Sequence, residues 1–90
     1  MGIYASSHEL VDAELKEYFN QLDVEKANAV LEVYHRTIVR QTKNEEQLSK
    51  KPWTAERAVA LEEIRKENLQ TRQEADYVSN HYRNLLKQQG

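Results

Sequence analysis

Residues 61 to 85 carry side chains spaced by alternating steps of three and four, which keeps one side of an α-helix facing a neighbour. We call this set the seam, and it consists of Leu61, Ile64, Asn68, Thr71, Ala75, Val78, Tyr82 and Leu85. Apolar residues fill both ends of the seam, while Asn68 and Thr71 place polar groups in its middle. A stripe of this length has to be covered by another helix, so the sequence predicts helix pairing along it.

Few residues in the chain interrupt helices, since its 90 residues include only two glycines and one proline. Pro52 is the clearest break, because proline removes an amide donor and disfavours helical geometry in the residue before it. We therefore expect a single all-α domain over residues 1–90, with three helices and a long C-terminal helix, packed as a bundle or coiled coil. The apolar spacing and the breaks predict helices over about 7–21, 24–43 (or 24–48, with a solvated end) and 55–87.

Three residues stand where they could cap these helices. Ser6 and Glu9 have the spacing of a capping box, and Asp23 and Thr54 precede the second and third helices. Trp53, next to Thr54, is placed to pack back onto the third helix.

The lengths of the predicted helices favour a homodimer. The first helix spans about 22 Å and the third about 50 Å, so the first cannot cover the whole seam. The distal half of the second helix lacks an apolar stripe, and part of the seam would stay exposed in a monomer. The sequence thus predicts pairing across a two-fold axis, with Tyr82 and Leu85 most expected at the contact.

Asn68 has two interpretations. A buried asparagine in a helix-pairing stripe fixes the register and the dimeric state of parallel coiled coils. Alternatively, the helix kinks between residues 68 and 71, where helix propensity dips, and Asn68 is solvated.

The charge is unevenly distributed along the chain. Residues 1–32 contain seven acids and two bases, and residues 33–90 contain eight acids and eleven bases, which gives −5 and +3 and the net −2. Either the first helix lies against the basic remainder within one bundle, or one of the two faces binds a charged partner.

Six cations form a candidate contact patch around the second helix and the proline break. They are Arg36, Arg40, Lys43, Lys50, Lys51 and Arg57. Either they are solvated cations that favour the end of a helix dipole, or they contact nucleic acid or an acidic protein surface.

The sequence has no arrangement typical of an enzyme, and we expect no cofactor. His8, His35 and His81 are dispersed without metal-ligand spacing, and there is no cysteine to bind zinc or act as a nucleophile. A phosphate-binding loop needs several glycines, and only Gly2 and Gly90 are present.

The N-terminus fits the loose N-myristoylation pattern from Met1 to Ser6. A single acyl chain needs a basic second signal, and the acidic segment that follows opposes one, so we expect no membrane binding. With no cysteine and no apolar run long enough to span a bilayer, we expect a cytoplasmic protein.

These patterns favour a small non-enzymatic regulator or adaptor that binds, and in one version inhibits, a larger protein through helical surfaces. The alternative is a DNA-binding transcription regulator. Residues 69–87 faintly resemble a helix-turn-helix, with Ala75 at its small-residue position. The turn position, however, holds Ser79 rather than glycine, and the next buried position holds polar Asn80.

Overall fold

A computed structural model describes residues 8–89 and contains three helices and no strands in that range. Helix α1 spans Ala13–Asn20, α2 spans Val24–Ser49 and α3 spans Ala55–Gln89. The predictions of an all-α fold and of bundle packing, here between α2 and α3, are confirmed. The Ser6 capping box and the Met1–Ser6 motif lie outside the described residues.

The first helix is shorter than the predicted range of 7–21, because it begins at Ala13. Before it, the chain makes a turn in which the Val11 amide donates to the His8 carbonyl oxygen at 3.1 Å. The Leu10 amide donates to the Gln73 side chain at 2.9 Å. These contacts with α3, together with burial of Val11, hold the segment across α3 instead of letting it join the helix.

The two long helices follow from local signals. The Asp23 side chain accepts the Lys26 amide at 2.9 Å, and the Thr54 hydroxyl accepts the Arg57 amide at 3.0 Å, so both helices start at capping residues. Helix α2 passes through Asn44 to Ser49, beyond both predicted ends, and α3 passes through residues 68–71 without interruption.

One end of the molecule holds nearly all of the core, and we call it the closed end. Its buried residues come from all three helices and the turns beside α1: Val11, Phe19, Leu22, Ala27 and Val78. The Phe19 ring meets Tyr34 edge-on, with centroids 6.1 Å apart, and lies at the same distance from Tyr77. This aromatic cluster joins α1 to both long helices.

The rest of the molecule is a pair of antiparallel helices, which we call the arm (residues 36–72). Side-chain hydrogen bonds from residues 8–22 reach α3 at Gln73, Asp76, Tyr77 and His81, all beyond the arm. The arm accounts for much of the 52 Å length of the molecule. Its one buried apolar residue is Leu61. Two helices pack against each other along a single line of contact. No third helix of the described chain covers the apolar side chains of the arm.

The seam pairs with α2 of the same chain. Leu61 and Val78 are buried and the other six residues are half-buried, so α2 of the same chain covers much of the seam. The reason is that α2 extends to Ser49 and covers the polar middle with Gln41 instead of an apolar side chain. Tyr82 and Leu85 pack against the core of the closed end.

Tyr34 gives the closed end a pH dependence. Burial raises the pKa of the Tyr34 phenol above its ordinary value, and its hydrogen bond to Glu74 (2.8 Å) raises it further. The folded chain therefore keeps Tyr34 protonated at a pH where the unfolded chain ionises it. The stability that Tyr34 contributes is present below about pH 10 and is lost as the pH rises above that value.

We expect the free energy of unfolding to fall between about pH 9 and pH 11.5, and to fall less steeply in Tyr34→Phe. Urea unfolding at each pH measures this difference. Tyr18→Phe is the matched control, because the Tyr18 ring is exposed and its charge is the smallest of the contributions to the raised pKa of Tyr34. Equal slopes for wild type and Tyr34→Phe would show that Tyr34 does not carry the effect.

Candidate interaction surfaces

The polar middle of the seam is a hydrogen-bonded network between α2 and α3. Asn68 Nδ2 donates to Gln41 Oε1 at 3.0 Å, and Gln41 Nε2 donates to Thr71 Oγ1 at 3.2 Å. Arg72 Nε donates to Asn68 Oδ1 at 2.6 Å. Asn68 is half-buried in a helix that continues without interruption through residues 68–71, and its network aligns α2 with α3 inside one chain.

This network predicts strong coupling between Gln41 and Asn68. Either Gln41→Leu or Asn68→Leu alone should cost about 1 kcal/mol, because each leaves a partly buried amide without its partner. The double variant should recover most of that loss, since two apolar residues then meet across the helix pair. A double-mutant cycle by urea unfolding measures the coupling, and simply additive losses would refute it.

Four cations lie along one side of α2, and we call them the basic stripe: Arg36, Arg40, Lys43 and Lys50. Steps of four, three and seven residues place them on a common side of the helix. All four are exposed, and within residues 8–89 only Arg36 forms an ion pair, with Glu32 at 3.8 Å. The stripe is therefore an exposed cationic surface about 21 Å long.

The other two patch residues are placed differently. Lys51 lies in the connection between α2 and α3 and is exposed. Arg57 is half-buried beside Pro52 and Ala60, and its Nε is buried without a hydrogen-bond partner in the described part of the chain. Of the six predicted patch residues, four thus form the basic stripe, Lys51 follows it in the connection, and Arg57 is separate from it.

The far end of the arm exposes apolar side chains, and we call it the tip (residues 48–60). Trp53 is 73% exposed and Val59 is 57% exposed. A groove of about 390 Å³ beside them is lined by Leu48, Pro52, Ala60 and neighbouring side chains. The expectation that Trp53 packs back onto the third helix is wrong, because the ring is 73% exposed although α3 begins only two residues later. Helix α1 packs on the closed end and does not cover the tip.

The sequence reasoning missed this surface. Val59 lies off the seam, within the run Ala58-Val59-Ala60-Leu61, and the seam spacing gives no signal for an exposed valine there. For Trp53 the sequence did contain a signal of exposure. Its neighbours Lys50, Lys51 and Thr54 offer little apolar surface against which an indole ring could pack.

His8 and His81 contact other residues of the fold, and His35 faces solvent. His8 Nε2 lies 2.7 Å from Asp76 Oδ2, and its ring meets the Tyr77 ring edge-on. His81 Nε2 lies 3.0 Å from the Leu22 carbonyl oxygen, and His35 is exposed on α2. Among residues 8–89, no three potential metal ligands come close enough together to hold an ion.

The residues compared with a helix-turn-helix lie entirely inside α3. Residues 69–87 are helical throughout, so the turn that would set a recognition helix at an angle is missing from that segment. The faint resemblance therefore has no counterpart in the fold. Across the described helices, none has a stretch both long and apolar enough to cross a membrane.

Comparison with known proteins yields no relative: no family model matches the chain, and no curated protein or solved structure matches it. The surfaces described above are therefore the basis for any functional conclusion.

Proposed function

We propose that this protein is a small non-enzymatic interaction module, a regulator or adaptor that binds a larger protein through its arm. The observation that supports this most strongly is the contrast between the two ends of the molecule. The closed end has a three-helix core, whereas the arm has two helices and exposes Trp53 and Val59. Exposed tryptophan and clustered apolar side chains are typical of protein contact sites.

The partner that fits the arm is an amphipathic helix of another protein. Helix α1 is an example within the chain, because it packs Phe19 onto the same pair of helices at the closed end. A foreign helix lying along the arm would close it in the same way, with apolar residues against Leu48 and Val59. If the bound helix belongs to a functional surface of the partner, the protein would act as an inhibitor.

An affinity capture from the native host with a matched pair of variants tests this proposal. Val59→Asp places a charge on the tip, and Leu86→Asp places one at the opposite end of α3, where Leu86 is 43% exposed. We expect both variants to fold, because exposed positions tolerate polar substitution. A protein captured by the wild type should be lost with Val59→Asp and kept with Leu86→Asp; the reverse pattern, or equal capture by both, would contradict the proposal.

The second candidate is DNA binding through the basic stripe. Its support is the row of exposed cations along α2. Against it stand the net charge of −2 and the uninterrupted α3. Micromolar protein that fails to bind random duplex DNA at about 50 mM salt would exclude this candidate, because non-specific binding is strongest at low salt.

Formation of a homodimer remains a prediction, but through a surface other than the seam. The seam is occupied by α2 of the same chain, so a second copy has to contact a different surface.

A further inference from the structure

Four acidic residues of the N-terminal segment face solvent and form no ion pair with any residue in the described range. Glu9, Asp12, Glu14 and Glu17 are all exposed, and within residues 8–89 none of them forms an ion pair. The first helix was expected to lie against the basic remainder of the chain. Helix α1 does pack on the other helices, but within residues 8–89 its acidic side chains form no ion pair with their cations. Helix α1 is held by the Phe19 ring cluster and by Lys16, whose ammonium lies 5.9 Å from the centre of the Tyr77 ring.

The outer side of α1 combines charge with an aromatic ring. Glu14, Glu17 and Tyr18 lie three and four residues apart, so they share one side of the helix. Tyr18 is exposed at the C-terminal end of this set, next to Glu17. We call these three residues the acidic face.

The basic stripe has the complementary composition. Val39 is exposed between Arg36 and Arg40, and Lys43 follows one turn later. Arg36 to Lys43 covers about 10 Å along α2, and Glu14 to Tyr18 covers about 6 Å along α1. The acidic face is therefore short enough to lie within this part of the basic stripe. The two surfaces are opposite in charge, and each includes an exposed aromatic or apolar side chain.

We propose that the acidic face of one copy binds the basic stripe of a second copy. Carboxylates of Glu14 and Glu17 would pair with Arg40 and Lys43, while the Tyr18 ring would cover Val39 and an arginine guanidinium. Within one chain the two surfaces do not meet, because α1 is fixed at the closed end and the stripe lies along the outer side of α2. A two-fold arrangement would use each surface twice and close as a dimer.

A second copy fits these observations better than a nucleic acid does. One chain presents both surfaces, and apart from Arg36 their charged side chains form no ion pair within residues 8–89, so a contact between copies would pair both of them. A polyanion would satisfy the stripe alone and would be repelled by the acidic face, in a chain whose net charge is already −2. This inference is independent of the proposed binding of a larger protein to the tip.

Complementary charge reversal tests the contact. One variant carries Arg40→Glu and Lys43→Glu, and the other carries Glu14→Lys and Glu17→Lys. All four positions are exposed and helical, and glutamate, lysine and arginine have similar helix propensities, so both variants should keep the wild-type circular dichroism spectrum. Sedimentation velocity over a concentration series at about 50 mM salt measures the association.

We expect the wild type to associate, and each variant alone to have a dissociation constant raised by at least about tenfold. An equimolar mixture of the two variants should regain association, because each reversed surface then meets an opposite charge. Raising the salt to about 500 mM should weaken both the wild-type complex and the mixed complex.

Three outcomes would overturn the proposal. The wild type could sediment as one chain at about 100 μM, where even the weak affinities typical of small contacts are detectable. The variants could associate as well as the wild type, or their mixture could fail to regain association. A monomeric wild type that binds random duplex DNA would also assign the stripe to nucleic acid.

Discussion

Phe19→Ala is expected to lower the free energy of unfolding by about 3–5 kcal/mol, the usual cost of truncating a buried aromatic ring. Phe19 is 2% exposed and lies between Tyr34 and Tyr77, so its removal leaves a cavity where all three helices meet. The loss is a large part of the total stability of a small domain, about 5–15 kcal/mol. Urea unfolding followed by circular dichroism measures it.

Tyr18→Ala is the matched control for this prediction. Tyr18 is the preceding residue of the same helix and is exposed, so its truncation should change the stability by less than about 1 kcal/mol. Similar losses in the two variants would mean that Phe19 is not the residue that joins α1 to the helix pair.

Val78→Asp is expected to prevent stable folding. Val78 is fully buried in the closed end, and a carboxylate there would be removed from water without a partner. The cost should be about 4 kcal/mol or more, which belongs to the most destabilising class of single substitutions. The variant should show little helical signal at 37 °C and an early transition on heating.

Val59→Asp makes the same chemical change in the same helix and is the control. Val59 is 57% exposed, and the aspartate would stay hydrated, so its melting temperature should lie close to that of the wild type. A folded Val78→Asp variant with wild-type stability would show that α3 does not bury this position.

The sequence predicted the elements whose signals are local. Asp23 and Thr54 have side chains that cap a helix, Pro52 cannot continue one, and both signals act within a few residues. The seam was also recognisable, because its spacing depends only on helix geometry. The sequence did not show which helix covers the seam. Gln41 pairs with Asn68 by a hydrogen bond across α2 and α3, and a polar pair of this kind leaves no apolar pattern.

The start of α1 and the exposure of the tip depended on tertiary contacts. His8 and Leu10 bind α3 at Asp76 and Gln73, more than 60 residues away, and these contacts replace the helical turn that local propensity favours. Trp53 is exposed because α1 ends at Asn20 and packs on the closed end. Both outcomes follow from where a short helix packs, which spacing along the chain does not specify.

The sequence predicted some residues of the candidate surfaces correctly and others not. Arg36, Arg40 and Lys43 were placed on one side of α2 from their spacing, and the structure puts them there, exposed. Arg57 was grouped with them by sequence proximity, but its side chain lies in a groove beside Pro52 and Ala60. The acidic face was recognised as a charge excess, and its lack of partners became visible only with the positions of the cations.

The chain has a closed three-helix end and an arm of two helices, and we propose that the arm is left open for a partner. Amide hydrogen exchange on the isolated chain, read residue by residue by NMR, tests it most directly. Amides in residues 38–48 and 57–68 should exchange at least about 30-fold faster than those in residues 27–34 and 75–82, because fewer buried contacts oppose their opening. Equal protection along the whole of α2 and α3 would contradict the claim.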